Sequence, residues 1–173
     1  MVDVVLDLET FGVAPGSAVV SIGAVCVDSG DEFYTVIDKP SGAVDAESVR
    51  WWLEQAEDVR GAVKSGQPEV LVLSMFSVWL NRQRGDGELR LWGSEDFDTV
   101  ILGEAYARNG MERPWRYREP RGMRTVLGLS GVDEDAMPWG GTEHIAIECA
   151  RHAAAALTLA LWRLDGALVQ EGR

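Results

Sequence analysis

The chain has 173 residues, of which 46% are hydrophobic and 25% are charged, and its formal net charge is −12. This length suits one domain with a sizeable core, and the composition is ordinary for a soluble globular protein. No stretch has the length of a membrane-spanning segment or the features of a signal peptide, so neither is expected.

Two cysteines, Cys26 and Cys149, give no disulfide framework, and a cytoplasmic location is therefore expected. Cys26 lies in a strongly apolar segment, which predicts a small buried side chain. Because the composition does not shift along the sequence, we expect a single domain over residues 1–173.

Three strands are predicted at the N-terminal end. Residues 2–8 have apolar side chains at every even position, so one face of this strand is expected in the core. Residues 18–27 form a nearly continuous apolar run, which is typical of a central strand. The turn "DSGD" separates this run from a third strand over residues 32–38, which predicts an antiparallel meander.

The apolar period then becomes that of helices. Asp45 or Ser48 is expected to cap a first helix over residues 45–66. Its apolar stripe consists of Val49, Leu53 and Ala56. A short strand within residues 85–93 is also predicted. Further helices are predicted over residues 68–82, 96–110 and 145–165, with a short helix or turn at 123–129. This order predicts an α/β fold, a mixed central sheet flanked by helices.

Two carboxylates stand near the end of the first strand, in "DLET". Asp7 and Glu9 project from the same face, about 6–7 Å apart along the strand. Burying both is unfavourable unless a cation lies between them, and Mg²⁺ and Mn²⁺ prefer oxygen ligands. The alternative is that the two acids only mark the solvent end of the strand.

A second acidic pair lies in "WGSEDFDTVIL", where a strand gives way to a helix. The crevice beyond the strand ends of an open α/β sheet is where ligands bind. Asp96 has an alternative explanation as a helix N-cap, whereas Asp98 is less easily explained in that way.

Positive charge is concentrated in "MERPWRYREPRGMR", where tryptophan and tyrosine are interleaved with arginines. Single-stranded nucleic acid is bound by grooves of this composition, which contact phosphates and stack on bases. The alternative is a solvated loop whose arginines pair with the acidic remainder of the chain. The arginines are Arg113, Arg116, Arg118, Arg121 and Arg124.

Six motifs occur in an order that resembles the DEDDh 3′→5′ exonucleases, a ribonuclease-H-like group that includes proofreading subunits and ribonuclease T. They are "DLETFG", "SIGAV", "RWWLEQ", "WGSEDFDTVIL", "RTV" and "HIAIECARHA". The third and fourth are most similar to the exonuclease VIII-like branch of phages and bacteria. The resemblance implies a ribonuclease-H-like fold, with a three-stranded antiparallel meander extended by parallel strands.

The resemblance also implies a role for each matching residue. Asp7, Glu9 and Asp98 would hold two divalent cations, Mg²⁺ or Mn²⁺, and His144 would be the general base that takes a proton from the attacking water. Thr10 and Phe11 would grip the terminal nucleotide. Arg124, in the "RT" motif, would contact the substrate. The family carries an aspartate two residues before this motif, where the chain has Gly122.

The fourth acid of the family is replaced here by Cys149, five residues after His144. Helical spacing places Cys149 at the edge of a buried stripe and Glu148 on the solvent face. A thiol is a poor ligand for Mg²⁺. Three explanations stay open: a variant inactivated for study, a natural member with altered metal use, or compensation by Glu148. The stripe consists of Ala150, Leu157, Leu161 and Leu164.

Several other side chains invite a functional interpretation. Of Trp51 and Trp52, one is expected in the core and one half-exposed, since helix neighbours point about 100° apart. His152 is expected on the solvent face. Leu159 and Trp162 fall off the buried stripe of the last helix and could form a homodimer contact. Glu95, Glu143 and Glu148 are expected to be surface charges.

The sequence therefore predicts a metal-dependent 3′→5′ exonuclease that removes nucleotides from single-stranded DNA or RNA ends and releases nucleoside 5′-monophosphates. Its activity is expected to be impaired by Cys149. The alternative is a catalytically inactive nucleic-acid-binding protein on the same fold, and a weaker one is an unrelated α/β protein with a chance acidic pair. Preference between DNA and RNA depends on contacts to the 2′-hydroxyl, which these motifs do not fix.

Overall fold

The computed structural model describes the backbone of residues 1–171 and the side chains of residues 1–166. Its centre is a six-stranded sheet with the strand order β4-β3-β2-β1-β5-β6. The first three strands pair antiparallel, and the other strands pair parallel to their neighbours. The strands are β1 Val2–Thr10, β2 Val19–Cys26, β3 Glu32–Asp38, β4 Gln67–Pro68, β5 Leu89–Gly93 and β6 Pro120–Gly122. The predicted α/β fold with a meander and added parallel strands is confirmed.

Helices cover both faces of the sheet. The even-numbered side chains of β1 pack with α3 and α4 in one hydrophobic core, and Val5, Val25 and Trp92 pack with α5 and α6 in a second. None of the described helices is long and apolar enough to cross a bilayer. The helices are α1 Ala46–Glu54, α2 Glu57–Ala62, α3 Glu69–Arg84, α4 Asp98–Arg108, α5 Met123–Ser130 and α6 Ala146–Glu171.

The helix predicted over residues 45–66 is divided in two, and its predicted stripe is wrong. Gln55 is extended between α1 and α2, so the apolar spacing does not continue across it. Leu53 is 67% exposed, and Val49 and Ala56 are exposed as well. Trp52 is the residue of α1 that is buried, because its indole N–H donates to the Thr10 carbonyl at 2.9 Å at the end of β1. Asp45 caps α1, as predicted.

The last helix packs on the second core largely as its spacing predicts. Ala150 and Leu157 are fully buried, and Leu161 and Leu164 pack against the same core. Leu159 also packs partly against this core, whereas Trp162 is 72% exposed. Of the two residues suggested for a homodimer, Trp162 is therefore the one that a second chain can reach.

Candidate active site

Three side chains that can hold a metal ion meet at the carboxyl end of β1. One ligand atom from each of Asp7, Glu9 and Cys149 lies within 4.8 Å of the others. Asp7 and Glu9 share a face because they are two residues apart on a strand, and Cys149 comes from the first turn of α6. Glu9 is 8% exposed and Asp7 is partly buried. The prediction that these two side chains project from the same face of the first strand is confirmed.

Asp98 is fixed beside these groups by the backbone. It is the first residue of α4, and its carboxylate accepts hydrogen bonds from the N–H of Ser94 at 2.7 Å and of Leu8 at 3.2 Å. Strand β5 pairs with β1 only as far as Val5, so the carboxylate binds an N–H of β1 that lies beyond this pairing. Asp98 is 2% exposed, lines the same cavity as Asp7 and Cys149, and acts through its charge on Asp7 and Glu9.

In the described part of the chain, no basic side chain pairs with the buried acids of this site. Burial, followed by the charges of Asp98 and Glu9, raises the pKa of Asp7 well above its usual value. Burial and then Asp98 raise the pKa of Glu9 to about 7. Burial raises the pKa of Asp98 to about 7 although the hydrogen bonds from Ser94 and Leu8 oppose the rise.

This donor set fits hard divalent cations at three of its four positions. Carboxylate oxygens are the ligands that Mg²⁺ and Mn²⁺ prefer. A cation would offset the burial that raises the three pKa values and the repulsion that adds to it at Asp7 and Glu9. The fourth position does not fit. Burial, then the charges of Asp7 and Glu9, raises the pKa of the Cys149 thiol to about 12, so the group is neutral at pH 7.

His144 lies beside the cluster rather than in it. It precedes α6 with a left-handed backbone (φ 65°), and its ring meets Trp51 edge-on at 4.8 Å between centroids. Trp51 is 36% exposed while Trp52 is 6% exposed, as predicted for this pair. The Trp51 side chain that the imidazole contacts lines the cavity next to Glu9.

The sequence matches the family described as "3′-5′ exoribonuclease Rv2179c-like domain" over residues 2–161. The chain belongs to this family. The prediction that the chain is a 3′–5′ exonuclease is confirmed. It is a 3′–5′ exonuclease domain of the Rv2179c-like family.

Two solved structures share the fold of this Rv2179c-like domain. One is a 3′-exonuclease in a study of 3′-end-specific recognition of a histone mRNA stem-loop, with a TM-score of 0.63 and 11% identity over 93% of this chain and 81% of that one. The other is Exonuclease X in complex with 5′-overhanging duplex DNA, with a TM-score of 0.60 and 15% identity over 95% of this chain and 93% of that one. No curated protein sequence matches this chain.

A cavity of about 500 Å³ opens beside Glu9 in this exonuclease domain. Thr10 lines it, and Trp51 and Phe97 form part of its apolar wall. The Thr10 hydroxyl donates to the carbonyl of Gly12 at 2.6 Å, so it is already engaged. Phe11 instead packs edge-on against Trp52, with ring centroids 6.1 Å apart. The roles of Thr10 and Phe11 in gripping a nucleotide remain predictions.

A second cavity, of about 260 Å³, contains Asp7, Asp98 and Cys149, and we call it the acid-lined cavity. The prediction that His152 faces solvent is wrong, because its ring lines this cavity. It stacks on Trp139 with centroids 4.1 Å apart, and its Nε2 lies 3.0 Å from the carbonyl oxygen of Glu134.

Sequence reasoning missed the pair of Trp139 and His152. A signal for His152 was present in the sequence. It lies three residues after Cys149, and this spacing puts the two side chains one turn apart on nearly the same face of the helix. Trp139 lies in an irregular loop, where no period indicates direction. The exposed side chain of Arg124 lines the same cavity, and so does that of Glu143, which was expected only as a surface charge.

The remaining glutamates have structural partners. Glu148 pairs with Arg151 at 2.7 Å, which keeps it out of the cluster and supports the spacing argument that favoured Cys149. Glu95 accepts the N–H of Thr125 at 2.9 Å at the start of α5. A Cβ on Gly122 would lie 2.1 Å from a Glu95 carboxylate oxygen, so the Glu95 side chain fills the space that a side chain at position 122 would need.

The proposed N-cap at Asp96 is wrong. Phe97 is the N-cap residue of α4, and no side chain caps this helix. Asp96 is exposed with a left-handed backbone (φ 61°), and its carboxylate does not cap the helix. Asp98 is the first residue of the helix.

Gly23 brings α6 to the acidic cluster. It pairs with Asp7 across β1 and β2, and a Cβ on it would lie 2.2 Å from the carbonyl carbon of Ala146. The missing side chain therefore gives the first turn of α6, with Cys149, room to approach Asp7. The atoms nearest to a Cβ on Gly23 are all backbone atoms of α6. A side-chain rotation could therefore not relieve the clash, and β2 or α6 would have to move.

We expect Gly23→Ala to lower the free energy of unfolding by about 3 kcal/mol, since overpacking here displaces a helix. Chemical denaturation measures this change. Gly61→Ala is the matched control, because nothing lies within 4 Å of a Cβ at that helical position, and it should be neutral or slightly stabilising. Equal stability of both variants would contradict the close approach of α6.

Proposed function

We propose that this protein hydrolyses single-stranded RNA from its 3′ end with two divalent cations, Mg²⁺ or Mn²⁺, and releases nucleoside 5′-monophosphates. The observation that carries the proposal is that Asp7 and Glu9 meet at the end of β1 and that Asp98, bonded to the Leu8 N–H, lines the same cavity as Asp7 and acts on the charges of both. The family description, an exoribonuclease, supports RNA over DNA. The two structural neighbours recognise an mRNA stem-loop and a DNA duplex, which supports a nucleic-acid substrate in general.

Asp7, Glu9 and Asp98 would hold the cations, which when bound stabilise the charge that develops on the attacking and leaving oxygens at phosphorus. The backbone N–H groups of Ser94 and Leu8 fix the Asp98 carboxylate, so this ligand is oriented before any cation arrives. Preorganisation of this kind limits the cost of assembling the site.

His144 serves as the base that takes a proton from the attacking water. Its imidazole is oriented by the edge-on contact with Trp51, and its left-handed backbone turns the chain sharply just before α6. The cavity beside Glu9 and Thr10 receives the terminal nucleotide, with Trp51 as an apolar wall. Arg124, at the rim of the acid-lined cavity, attracts the backbone phosphate.

A second candidate function is favoured by Cys149. Its thiol offers no hard oxygen to a cation, and burial, then the charges of Asp7 and Glu9, raise its pKa to about 12, which disfavours the thiolate. Weakened cation binding would leave a protein that holds single-stranded nucleic acid and turns it over slowly or not at all.

A cleavage assay tests both functions. A 5′-labelled 20-nucleotide RNA and the DNA of the same sequence are incubated with the protein in Mn²⁺ or Mg²⁺. We expect a ladder of shortened RNA and mononucleotide product, and a loss of about a thousandfold in Asp7→Asn. Asp86→Asn, in an exposed turn, is the matched control and should be unchanged.

The outcomes separate the alternatives. Faster cleavage of DNA than of RNA would overturn the proposed substrate. Binding of RNA in Ca²⁺ without cleavage in Mn²⁺ would establish the binding function instead. Cleavage that survives in Asp7→Asn would remove the acidic cluster from the mechanism.

A further inference from the structure

Three cavities form a continuous path from the acidic cluster along the outer face of α4. The acid-lined cavity shares Gly93 and Ser94 with a bridging cavity of about 200 Å³. The bridging cavity shares Thr99, Val100 and Pro120 with an outer cavity of about 560 Å³. The three cavities therefore adjoin one another, and a flexible chain that leaves the cluster on this side would meet them in turn.

Arginines line this path at each stage. Arg124 lines the acid-lined cavity, Arg121 the bridging cavity and Arg113 the outer cavity, and all three side chains are exposed. In the described part of the chain none of the three makes a salt bridge. The alternative that these arginines pair with the acidic remainder is therefore wrong for them. Acidic side chains line the same three cavities, so the arginines offer separate contacts to phosphates rather than a uniformly positive surface.

The outer cavity adds an aromatic surface to the positive charge. Tyr117 lines it and is 85% exposed, whereas Trp115, two residues earlier, is 3% exposed and packs edge-on against Tyr106 at 5.7 Å. Glu119 is held by Arg84 at 2.8 Å, so this acid is already neutralised. Trp115 and Glu119 thus anchor the segment on both sides of Tyr117, which presents its ring to solvent.

We infer that this path binds the RNA strand on the 5′ side of the scissile phosphate. Arg121 and Arg113 contact successive phosphates, and a base stacks on Tyr117. Acids outside the metal-binding cluster also line the path and limit how tightly a polyanion binds. They are Glu95, Asp96, Glu104, Glu134, Asp135 and Glu143. The inference rests on the proposed function, because it takes the acidic cluster as the place where the 3′ end is cut.

Binding of RNAs of two lengths tests the path apart from cleavage. Fluorescence anisotropy in Ca²⁺ measures the Kd of single-stranded RNAs of 3 and 12 nucleotides for the parent protein and for Arg113→Gln/Tyr117→Ala. We expect the Kd of the 12-mer to rise about tenfold or more, since a stacked base and a phosphate contact are lost. The Kd of the trimer should not change, because it fills only the end of the path.

The control is Arg82→Gln/Trp162→Ala, which removes an exposed arginine and an exposed aromatic ring that line none of these three cavities. The conservative variant Arg113→Lys/Tyr117→Phe should keep most of the affinity. A 12-mer that binds the double variant and the control alike, or that does not bind the parent protein, would overturn the inference. A different result would overturn the proposed function alone: no cleavage in Mn²⁺, while Arg113→Gln/Tyr117→Ala still weakens binding of the 12-mer and not of the trimer.

Discussion

Cys149→Asp is expected to raise the rate of RNA cleavage in Mg²⁺ by about a hundredfold or more. The substitution replaces a neutral thiol with a carboxylate at a position whose ligand atom lies within 4.8 Å of those of Asp7 and Glu9. A fourth hard ligand strengthens cation binding, and the loss of even outer partners of a metal site costs ten- to a hundredfold in affinity or activity. Initial rates over a range of Mg²⁺ concentrations measure the effect.

Two further variants separate charge from shape at this position. Cys149→Asn has the size of aspartate without its charge, and it should stay as slow as the parent protein. Glu148→Gln should leave the rate unchanged, because Glu148 is paired with Arg151 outside the cluster. If the parent protein already cleaves as fast as Cys149→Asp, the thiol is not what limits the reaction.

The sequence predicted the parts of the site that depend on regular periods. A strand repeats every two residues, so Asp7 and Glu9 had to share a face. The helical stripe through Ala150 and Leu157 placed Cys149 at its buried edge, and the structure puts it in the cluster. The role of Asp98 beside these acids was implied only by the resemblance to the exonucleases. In the structure Asp98 follows β5, which neighbours β1.

Features that depend on tertiary contacts escaped prediction. The period of residues 45–66 gave no sign of the break at Gln55, because Trp52 is drawn to the Thr10 carbonyl rather than to the predicted stripe. The stacking of His152 on Trp139 joins a helix to an irregular loop. The room for α6 depends on Gly23, whose significance appears only when the backbone of Ala146 lies against it.

Removal of divalent cations is expected to make stability fall steeply with rising pH. The pKa of Glu9 is raised from 4.5 and that of Asp98 from 3.8, both to about 7. Between about pH 4.5 and pH 7 the native protein therefore holds more protons than the unfolded chain, so the free energy of unfolding decreases as pH rises. Below this window both states are protonated at these sites and no loss occurs.

The expected loss in EDTA between pH 5 and pH 7.5 is on the order of 3 kcal/mol, or a fall of about 10 °C in Tm. Millimolar Mg²⁺ or Mn²⁺ should restore the Tm at pH 7.5 and have little effect at pH 5, because protons and cations compete for the same oxygens.

Glu9→Gln is the control: it removes one charge, so its Tm in EDTA should change less with pH. The general repulsion of a chain with a net charge of −12 also lowers stability as pH rises, but it acts almost equally on both proteins. Identical pH profiles for the parent protein and Glu9→Gln would mean that the carboxylates do not share a buried site.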